Sequence, residues 1–596
     1  MYRAPVHDIL HTLRVVGLEA AIEAGQVGDL DMGTAGAILE EAGKFASERI
    51  EPMNRAGDVQ GARYADGRVT MPDGYAELYR DWWQAGWNGL TGPVEHGGQS
   101  LPNMIAVAAL EMWNSGSMAF ALGPTLTIGA VEALEQHGSD ALKDVYLEKM
   151  VTGEWMGTMN LTEPHAGSDL GTLRTRAEPV TENGEETGRY RIFGQKIYIT
   201  YGEHDQADNI IHMVLARLPD APEGTRGISL FLVPKFLPNE DGTPGKANDV
   251  FCNGIEHKLG IHASPTCTMI YGDGKGEGDE PGAVGWLVGE PNRGLFAMFT
   301  MMNNARLAVA MQGVAVAEAA YQRARDYADE RKQGKSVGWA ERGMAPIVTH
   351  PDVQRNLLVM RSLTGASRAI AYANAHALDM VAGDPGNTRH WQERANLLTP
   401  VAKAFATDVG VEVASIGVQV HGGMGYVEET GAAQLLRDAR IAPIYEGTNG
   451  IQAIDLVQRK LTQSDGAHVR GYIDELASVT ADVRASNRPQ FGDTAERLAT
   501  ALADLGEATD WLLDALANDR VADAQAGATP YLRLFGLASG GIYLAKAALT
   551  DEQGHGRTSL ARFFAENLVV ETTSLKRSVT HGAASFEGAM EALKVA

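Results

Sequence analysis

The chain has 596 residues, of which 44% are hydrophobic and 21% charged. Its length and composition are those of a globular protein with about three or four domains. The 51 Lys and Arg residues against 76 Asp and Glu residues give a net charge of −25, which argues against a nucleic-acid partner because binding to a phosphate backbone requires a basic surface. Two cysteines, Cys252 and Cys267, are too few for a structural zinc site or a disulfide scaffold, so we predict no metal site and a reducing compartment.

The N-terminal segment, MYRAPVHDILHTLRVVGLEAAIEAG, is interrupted by charged and polar residues and lacks the apolar core of a signal peptide. No apolar run in the sequence approaches the length of about 18 residues that suggests a membrane span. We therefore predict a cytoplasmic protein without a membrane span.

In chain order, the sequence predicts an α+β multidomain protein. Residues 1–155 show helical spacing, as in TAGAILEEAGKFASERIEP. Residues 156–290 hold short runs of β-branched and aromatic residues, such as NIIHMVLARL and GISLFLVPKF, separated by turn formers. Residues 291–465 are helical again and begin with a pattern for one helix of more than thirty residues. A polar break, TQSDGA, then precedes an additional helical domain at 466–596.

The glycine-rich segment GDGKGEGDEPG at 272–282 has neither the G-x-G-x-x-G of a dinucleotide-binding turn nor the Gly-Lys-Ser/Thr of a phosphate-binding loop. No helical pattern follows it. We interpret the segment as a flexible surface hairpin.

Two other segments carry groups suited to a ligand. The first, NLTEPHAGSD at 160–169, offers hydroxyl groups and backbone amides that bind a polar ring edge or a phosphate, although Ser and Asp also bond their own backbone in ordinary turns. The second, QVHGGMGY at 419–426, follows a helix, and its three glycines allow the backbone to approach a ligand closely. His421 in this segment fits either such a site or the protein core.

A third segment, IYEGTNGIQ at 444–452, contains the carboxylate of Glu446 between an apolar pair and two glycines. Thr448 or Asn449 is a suitable N-cap for a following helix. Two interpretations of Glu446 are open from these residues alone. It is either a solvated acid near the positive end of the helix dipole or a general base held in an apolar pocket.

Together these segments resemble the acyl-CoA dehydrogenase family. The matching elements occur in family order over about residues 35–460, and they are MNLTEPHAGSDLG (159–171), GQKIYIT (194–200), EHKLGIHASPT (256–266), NNARL (303–307), ADERKQGK (328–335), QVHGGMGY (419–426) and RDARIAPIYEGTNGIQ (437–452). The resemblance implies a helical N-terminal domain, a β-barrel-like middle domain and a C-terminal four-helix bundle. It also implies FAD bound between the last two domains and a neighbouring subunit, and thus a homodimer or larger assembly.

The resemblance also assigns roles to individual residues. It makes Glu446 the catalytic base that removes the α-proton of an acyl-CoA. The implied cofactor contacts are Leu161, Thr162, Ser168, Tyr198, Ile199, Thr200, Arg331, Gln419, Gly422, Gly423, Thr448 and Gly450, with Arg331 at the flavin pyrophosphate. The implied substrate contacts are Ser168, Asn303, Arg306 and Gly447. Gln333 and His262 depart from the family pattern and receive no role.

The opening YRAPVHDILHTL and the extension after residue 466 resemble the longer bacterial members of the family. This branch implies oxidation of 3-(methylthio)propanoyl-CoA to its 2,3-enoyl thioester in dimethylsulfoniopropionate degradation, with an electron-transfer flavoprotein as acceptor. Three alternatives stay open, namely a general short- or medium-chain acyl-CoA dehydrogenase, a DNA-associated relative, and a flavin-bearing scaffold without turnover. The absence of a Lys/Arg cluster in residues 466–596 argues against the DNA-associated relative.

Overall fold

A computed structural model of the protein describes residues 2–278, 280–551 and 555–594. Two compact units make up the chain. The first unit comprises Met1–Lys44, Pro102–Ser115 and Arg306–Ala596, and the second comprises Phe45–Leu101 and Gly116–Ala305.

The α-helices of the described residues are α1 (Val6–Val16), α2 (Leu18–Glu23), α3 (Met32–Phe45), α4 (Glu51–Gln60), α5 (Tyr75–Gln84), α6 (Asn103–Gly116), α7 (Met118–His137), α8 (Asp140–Thr152), α9 (Gly294–Glu330), α10 (Pro351–Gly383), α11 (Thr388–His421), α12 (Ala432–Ala439), α13 (Asn449–Asp455), α14 (Ala467–Ala485), α15 (Thr494–Ala517), α16 (Val521–Leu549), α17 (His555–Asn567), α18 (Thr572–Thr580) and α19 (Phe586–Ala592). The strands are β1 (Arg63–Ala65), β2 (Arg68–Thr70), β3 (Trp155–Asn160), β4 (Arg176–Glu182), β5 (Glu185–Thr200), β6 (Asn209–Ala216), β7 (Ser229–Pro234), β8 (Phe236–Pro238), β9 (Pro244–Ala247), β10 (Val250–Ile255), β11 (Thr266–Tyr271) and β12 (Ala283–Val288). The predicted order of helical, β, helical and additional helical segments is confirmed, and α9 is the predicted single long helix of 37 residues.

A short β-hairpin within the N-terminal helical region was not predicted. Strands β1 and β2 pair antiparallel around Asp66 and Gly67, whose φ angles are 50° and 82°. Asp-Gly favours a two-residue hairpin turn because both residues tolerate positive φ. Each strand has only three residues, which is too short for an alternating pattern to be visible in the sequence.

An eight-stranded sheet forms the centre of the second unit. Its strand order is β10-β11-β5-β12-β7-β6-β3, and β4 also pairs with β5. Strands β6 and β7 are buried at every position, in keeping with their largely apolar sequences. One side of the sheet packs against α7 and α8 through a core that includes Leu134, Tyr146 and Trp155.

The predicted hairpin at 272–282 is wrong. This segment joins β11 to β12, but both strands pair with the long β5 and not with each other. The carboxylate of Asp249 accepts backbone N–H bonds from Gly274, Lys275, Gly276 and Gly282 at 2.8 to 3.3 Å. The buried carboxylate of Asp249 thus fixes the conformation of the segment. The glycine content of the segment alone could not predict this contact.

Long helices form the first unit. Helices α9 and α11 cross in very close contact, since a Cβ added to Gly313 of α9 would lie 2.3 Å from the Ala406 carbonyl oxygen of α11. An ion network fixes α6, α9 and α10: the Arg368 guanidinium donates to Glu111 at 2.6 Å and to Glu318 at 2.8 Å. All three charges are buried, so each compensates the desolvation of the others.

Helix α16 is the central helix of the segment after residue 466. Within the first unit it packs on α10, α11 and α13 as well as on its neighbours α15 and α18. Among the described residues, α16 alone is long and apolar enough to cross a membrane, and 72% of that apolar stretch is buried inside the protein. Burial against other helices accounts for its apolar character.

Candidate active site

The loop at 440–448 carries Glu446 between α12 and α13. Thr448 is the N-cap of α13, and its hydroxyl accepts a hydrogen bond from the Ile451 amide at 3.2 Å. Glu446 and Gly447 have φ angles of 55° and 78°, so the backbone is left-handed at two successive residues. A left-handed non-glycine residue costs about 1 to 3 kcal/mol and persists only where its surroundings fix it.

Side chains from three directions hold this loop. The Gln452 side-chain Nε2 donates to the Glu446 carbonyl at 3.1 Å, and the Lys403 ammonium of α11 donates to the Gly447 carbonyl at 2.9 Å. The Tyr445 hydroxyl donates to the Gln312 side chain of α9. Lys403, Gln452 and Gln312 are each fully buried. The strained backbone at Glu446 is therefore tied on both sides by groups that have little freedom to move.

The carboxyl group of Glu446 has an altered proton affinity. Burial raises the pKa of Glu446 to about 7, while the positive charges of Arg306 and Lys403 act in the opposite direction. A carboxylate with a pKa near neutrality takes up a proton far more readily than a solvated acid does. The raised pKa favours the interpretation of Glu446 as a general base over that of a solvated acid.

Arg306 lies near Glu446 in the first unit, on α9. It is half-buried, and burial lowers its pKa while the charges of Asp455 and Glu446 raise it. Asp455 also forms ion pairs with Arg459 at 3.4 Å and Lys460 at 3.8 Å. Because a guanidinium remains protonated throughout the physiological range, Arg306 provides a permanent positive charge that acts on the base.

The predicted ligand loop of the second unit follows β3. A fully buried Lys196 donates to the Leu161 carbonyl at 3.0 Å and to Glu163 at 2.9 Å, and Glu163 in turn accepts from Thr175 and from the Arg174 amide. This buried ion pair fixes the start of the loop. The side-chain hydroxyls of Thr162 and Ser168 form no hydrogen bond with any described residue. The alternative of a self-bonded turn therefore does not hold for Ser168, whereas it does hold for Asp169, whose carboxylate accepts from the Gly171 amide at 2.8 Å.

The end of β5 holds the next predicted cofactor contacts. Tyr198 has a φ of 60° and its side chain is 61% exposed. Ile199 is buried and its backbone pairs with Cys267 of β11. Thr200 is half-buried and its carbonyl accepts from the Thr158 hydroxyl at 2.7 Å. An exposed aromatic ring on strained backbone is available for stacking with a planar ligand.

The remaining predicted cofactor contacts of the first unit are exposed. Arg331 follows α9 and donates to the Gln333 side chain at 3.2 Å. Gln419, Gly422 and Gly423 lie at the end of α11, where a Cβ added to either glycine would meet no described atom within 4 Å. Space for a ligand therefore surrounds these two residues.

His421, by contrast, belongs to the core. Its ring stacks on Tyr327 at 4.5 Å and its Nδ1 bonds the Gly417 carbonyl at 2.7 Å. Of the other predicted residues, Asn303 and Gly450 are exposed. His262, which received no role, is paired with Asp58 at 2.9 Å and bonds the Lys258 carbonyl at 3.0 Å.

Sequence reasoning missed Lys403, Gln452, Lys196 and Glu163, which support the loops without being assigned to a ligand. Lys403 had a visible signal, because it is a single charge within the otherwise apolar helical stretch TPVAKAFA. A charge in such a stretch is buried only when it is paired or hydrogen-bonded. Lys196 and Glu163 lie in two separate motifs, and no spacing rule in the sequence connects them.

Comparison with protein families places successive parts of the chain in one family. Models described as the N-terminal, middle and C-terminal domains of acyl-CoA dehydrogenase match residues 33–154, 158–273 and 292–461. A fourth, described as acetyl-CoA dehydrogenase C-terminal like, matches residues 472–589.

Individual relatives cover most of the chain. 3-Methylmercaptopropionyl-CoA dehydrogenase of Ruegeria pomeroyi is 44% identical over 97% of this chain and 98% of its own length. A butyryl-CoA dehydrogenase of Syntrophomonas wolfei is 34% identical over 82% of this chain and 78% of its own. Among solved structures, Caenorhabditis elegans ACDH-11 in complex with C11-CoA has a TM-score of 0.78 at 21% identity, covering 96% of this chain and 92% of its own. At that identity the likeness concerns the fold.

Proposed function

This chain belongs to the acyl-CoA dehydrogenase family, and we propose that it oxidises an acyl-CoA thioester between its α and β carbons with Glu446 as the base. The observation that carries the proposal is the state of Glu446. Its backbone is left-handed and held on both sides, and its pKa is about 7. These are the properties of a positioned general base.

The residues present fit FAD, the cofactor of this family. Thr162 and Ser168 have hydroxyls without a described partner, Tyr198 presents an exposed ring, and the space around Gly422 and Gly423 admits a ligand next to the backbone. We propose that these residues hold the flavin and its adenosine side, together with Leu161, the backbone of Ile199, Thr200, Gln419, Thr448 and Gly450. FAD, when bound, supplies the acceptor for the hydride that leaves the β carbon.

Removal of the α-proton requires a base, and the protein supplies it. A thioester carbonyl acidifies this proton, and the Glu446 carboxylate removes it while the fixed backbone keeps the carboxylate aimed at the α carbon. We propose that Ser168, Asn303, Arg306 and the backbone of Gly447 bind the substrate. Arg306 suits a phosphate or carbonyl oxygen of the coenzyme, because its charge is permanent.

The proposed substrate is 3-(methylthio)propanoyl-CoA. Support comes from the 44% identical relative that is named for the same acyl group and matches nearly the whole chain. The second candidate is a short straight-chain acyl-CoA such as butanoyl-CoA, supported by the 34% identical butyryl-CoA dehydrogenase. An apolar pocket distinguishes ligands that differ by one methylene by only about 1–3 kcal/mol, so we expect both to react.

We further propose a homodimer or larger assembly in the cytoplasm and an electron-transfer flavoprotein as acceptor. Arg331, Gln419, Gly422 and Gly423 support the assembly, because they are exposed and match family positions that contact the flavin of a neighbouring subunit. The domain boundaries at 155, 290 and 465 also stay a proposal.

The test is anaerobic reduction of the purified flavoprotein with a panel of acyl-CoAs. We expect bleaching of the flavin by 3-(methylthio)propanoyl-CoA and by butanoyl-CoA. Much faster bleaching by octanoyl-CoA than by the methylthio compound would contradict the proposed branch. No bleaching by any acyl-CoA would contradict the proposed reaction.

A further inference from the structure

The Glu446 loop rests on a buried lysine that the proposed reaction leaves unexplained. We propose that Lys403 is a positioning residue, whose ammonium group fixes the backbone that carries Glu446 and supplies a positive charge against which Glu446 ionises. This inference rests on the proposed role of Glu446 as the base.

Geometry first points to Lys403. Its side chain is fully buried on α11, and its Nζ donates to the Gly447 carbonyl at 2.9 Å and to the Asn449 Oδ1 at 2.9 Å. Gly447 directly follows the base, and Asn449 begins α13. One ammonium group therefore connects the middle of α11 to both ends of the strained turn between Glu446 and the helix.

The Asn449 amide is oriented so that its oxygen faces the ammonium. Its Nδ2 donates to Asp408 at 2.7 Å, to the Thr407 hydroxyl at 3.0 Å and to the Ala404 carbonyl at 3.2 Å. Only the amide nitrogen can donate to Asp408 and to the Ala404 carbonyl, so the Oδ1 is the acceptor, and it accepts from Lys403 at 2.9 Å and from the Thr407 hydroxyl at 3.2 Å. The hydrogen bonds of Asn449 to Ala404, Thr407 and Asp408 of α11 thus fix the position of its Oδ1 relative to Lys403 on the same helix.

Lys403 and Glu446 also interact through their charges. Burial lowers the pKa of Lys403 to about 8, which leaves it protonated at neutral pH, and Glu446 and Asp408 oppose this lowering. The groups that face Glu446 or Lys403 are Arg306 on α9, Asp408 on α11 and Tyr445 in the loop, with Asp455 on α13 acting on Arg306. Lys403 combines its charge with a direct hold on the backbone of the loop, through its bond to the Gly447 carbonyl.

Four variants distinguish a purely structural role of Lys403 from a role in positioning Glu446. Lys403→Met removes both the charge and the hydrogen bonds, Lys403→Gln keeps a donor without the charge, and Lys403→Arg keeps the charge. The control is Lys460→Met, because burial also lowers the pKa of Lys460, while its ion pair is with Asp455 at 3.8 Å and not with the loop.

The first measurement is the rate of anaerobic flavin reduction at saturating acyl-CoA as a function of pH. Loss of an opposite charge close by raises a carboxyl pKa by roughly one unit or more. We expect the acidic limb of the pH–rate profile, where the rate rises as Glu446 ionises, to move up by about one pH unit in Lys403→Met and Lys403→Gln. At a pH below this limb, the shift is about a tenfold loss of rate. Lys403→Arg should restore the wild-type limb, and Lys460→Met should not move it. A limb that stays at the wild-type pH in both neutral variants would overturn the proposal.

The second measurement does not depend on turnover. It compares the thermal stability of the wild-type flavoprotein and Glu446→Gln between about pH 5 and pH 9, with and without Lys403→Gln. The folded pKa of Glu446 lies above its unfolded value, so its contribution falls as pH rises and levels off above the folded pKa. We expect that fall to continue to higher pH when the lysine charge is absent, and an unchanged profile would count against the proposal. If wild-type flavin is reduced by no acyl-CoA, the proposed function fails, while this stability comparison still tests the lysine.

Discussion

At the scale of single residues, Glu446 is the decisive position. Glu446→Gln should give a folded, yellow protein that binds acyl-CoA but scarcely reduces its flavin. Glutamine preserves the shape of the side chain but lacks a basic oxygen, and loss of a positioned base typically costs about 10²–10⁴-fold in rate. Stopped-flow bleaching at saturating substrate measures the effect. A rate near that of the wild type would show that the turn at 444–452 only caps a helix.

The ionisation of Glu446 gives a second prediction. Its pKa is raised to about 7 and the carboxylate is the active form, so flavin reduction should increase with pH and level off above neutrality. If the base had the ordinary pKa of a glutamate, the rate of flavin reduction would already be close to its plateau at about pH 5. A rate that is constant from about pH 5 to pH 8 would contradict the raised pKa.

The sequence motif was sufficient to find Glu446 but not what surrounds it. The residue stands within a contiguous pattern, whereas Lys403 is more than forty positions away and reaches the loop only through the packing of α11. His421 shows the same limit, because the sequence left it open between a ligand site and the core, and the structure stacks it on Tyr327. Burial of polar groups depends on tertiary contacts that local patterns do not contain.

At the scale of elements, the packing of α16 on α11 can be tested at one glycine. A Cβ added to Gly536 would lie 2.3 Å from the Phe405 ring, whereas one added to Gly506 of α15 would meet nothing within 4 Å. Gly536→Ala should therefore lower the free energy of unfolding by about 1–3 kcal/mol through overpacking. Gly506→Ala should be neutral or stabilise by up to about 1 kcal/mol, since alanine favours helix. Equal denaturation midpoints for the two variants would show that α16 does not pack tightly there.

Elements were predictable where their pattern was long. The helical period over α9 and the apolar runs of β6 and β7 were correctly assigned from sequence. Two short features were not, namely the β1–β2 hairpin and the segment at 272–282, whose conformation depends on the buried carboxylate of Asp249. Strand pairing is a long-range property, so turn composition alone could not tell a hairpin from a crossover.

At the scale of the whole molecule, the proposed assembly predicts a role for Arg331 in holding the cofactor. Arg331→Ala should lower the ratio of flavin to protein, because a charge-assisted bond to a pyrophosphate is among the stronger polar contacts. Arg342→Ala is the matched control, an exposed arginine eleven residues further along the same connecting segment. Sedimentation of the wild type should show a dimer or larger species. A monomer with full flavin content would contradict a contact from a neighbouring subunit.

The extension after residue 466 should serve packing and should not bind DNA. Its positive charges are largely neutralised, since Arg470 pairs with Asp510, Arg520 with Asp514, Arg533 with Glu412 and Lys576 with Asp504, each at 2.6 to 3.0 Å. The full chain also carries a net charge of −25, which repels a phosphate backbone. We expect no shift of a DNA duplex by the full-length flavoprotein at physiological salt. Weak retention that appears only at low salt would reflect nonspecific attraction. Tight binding at physiological salt that weakens steeply as salt is added would contradict the prediction, because it requires a basic surface that the described charges do not form.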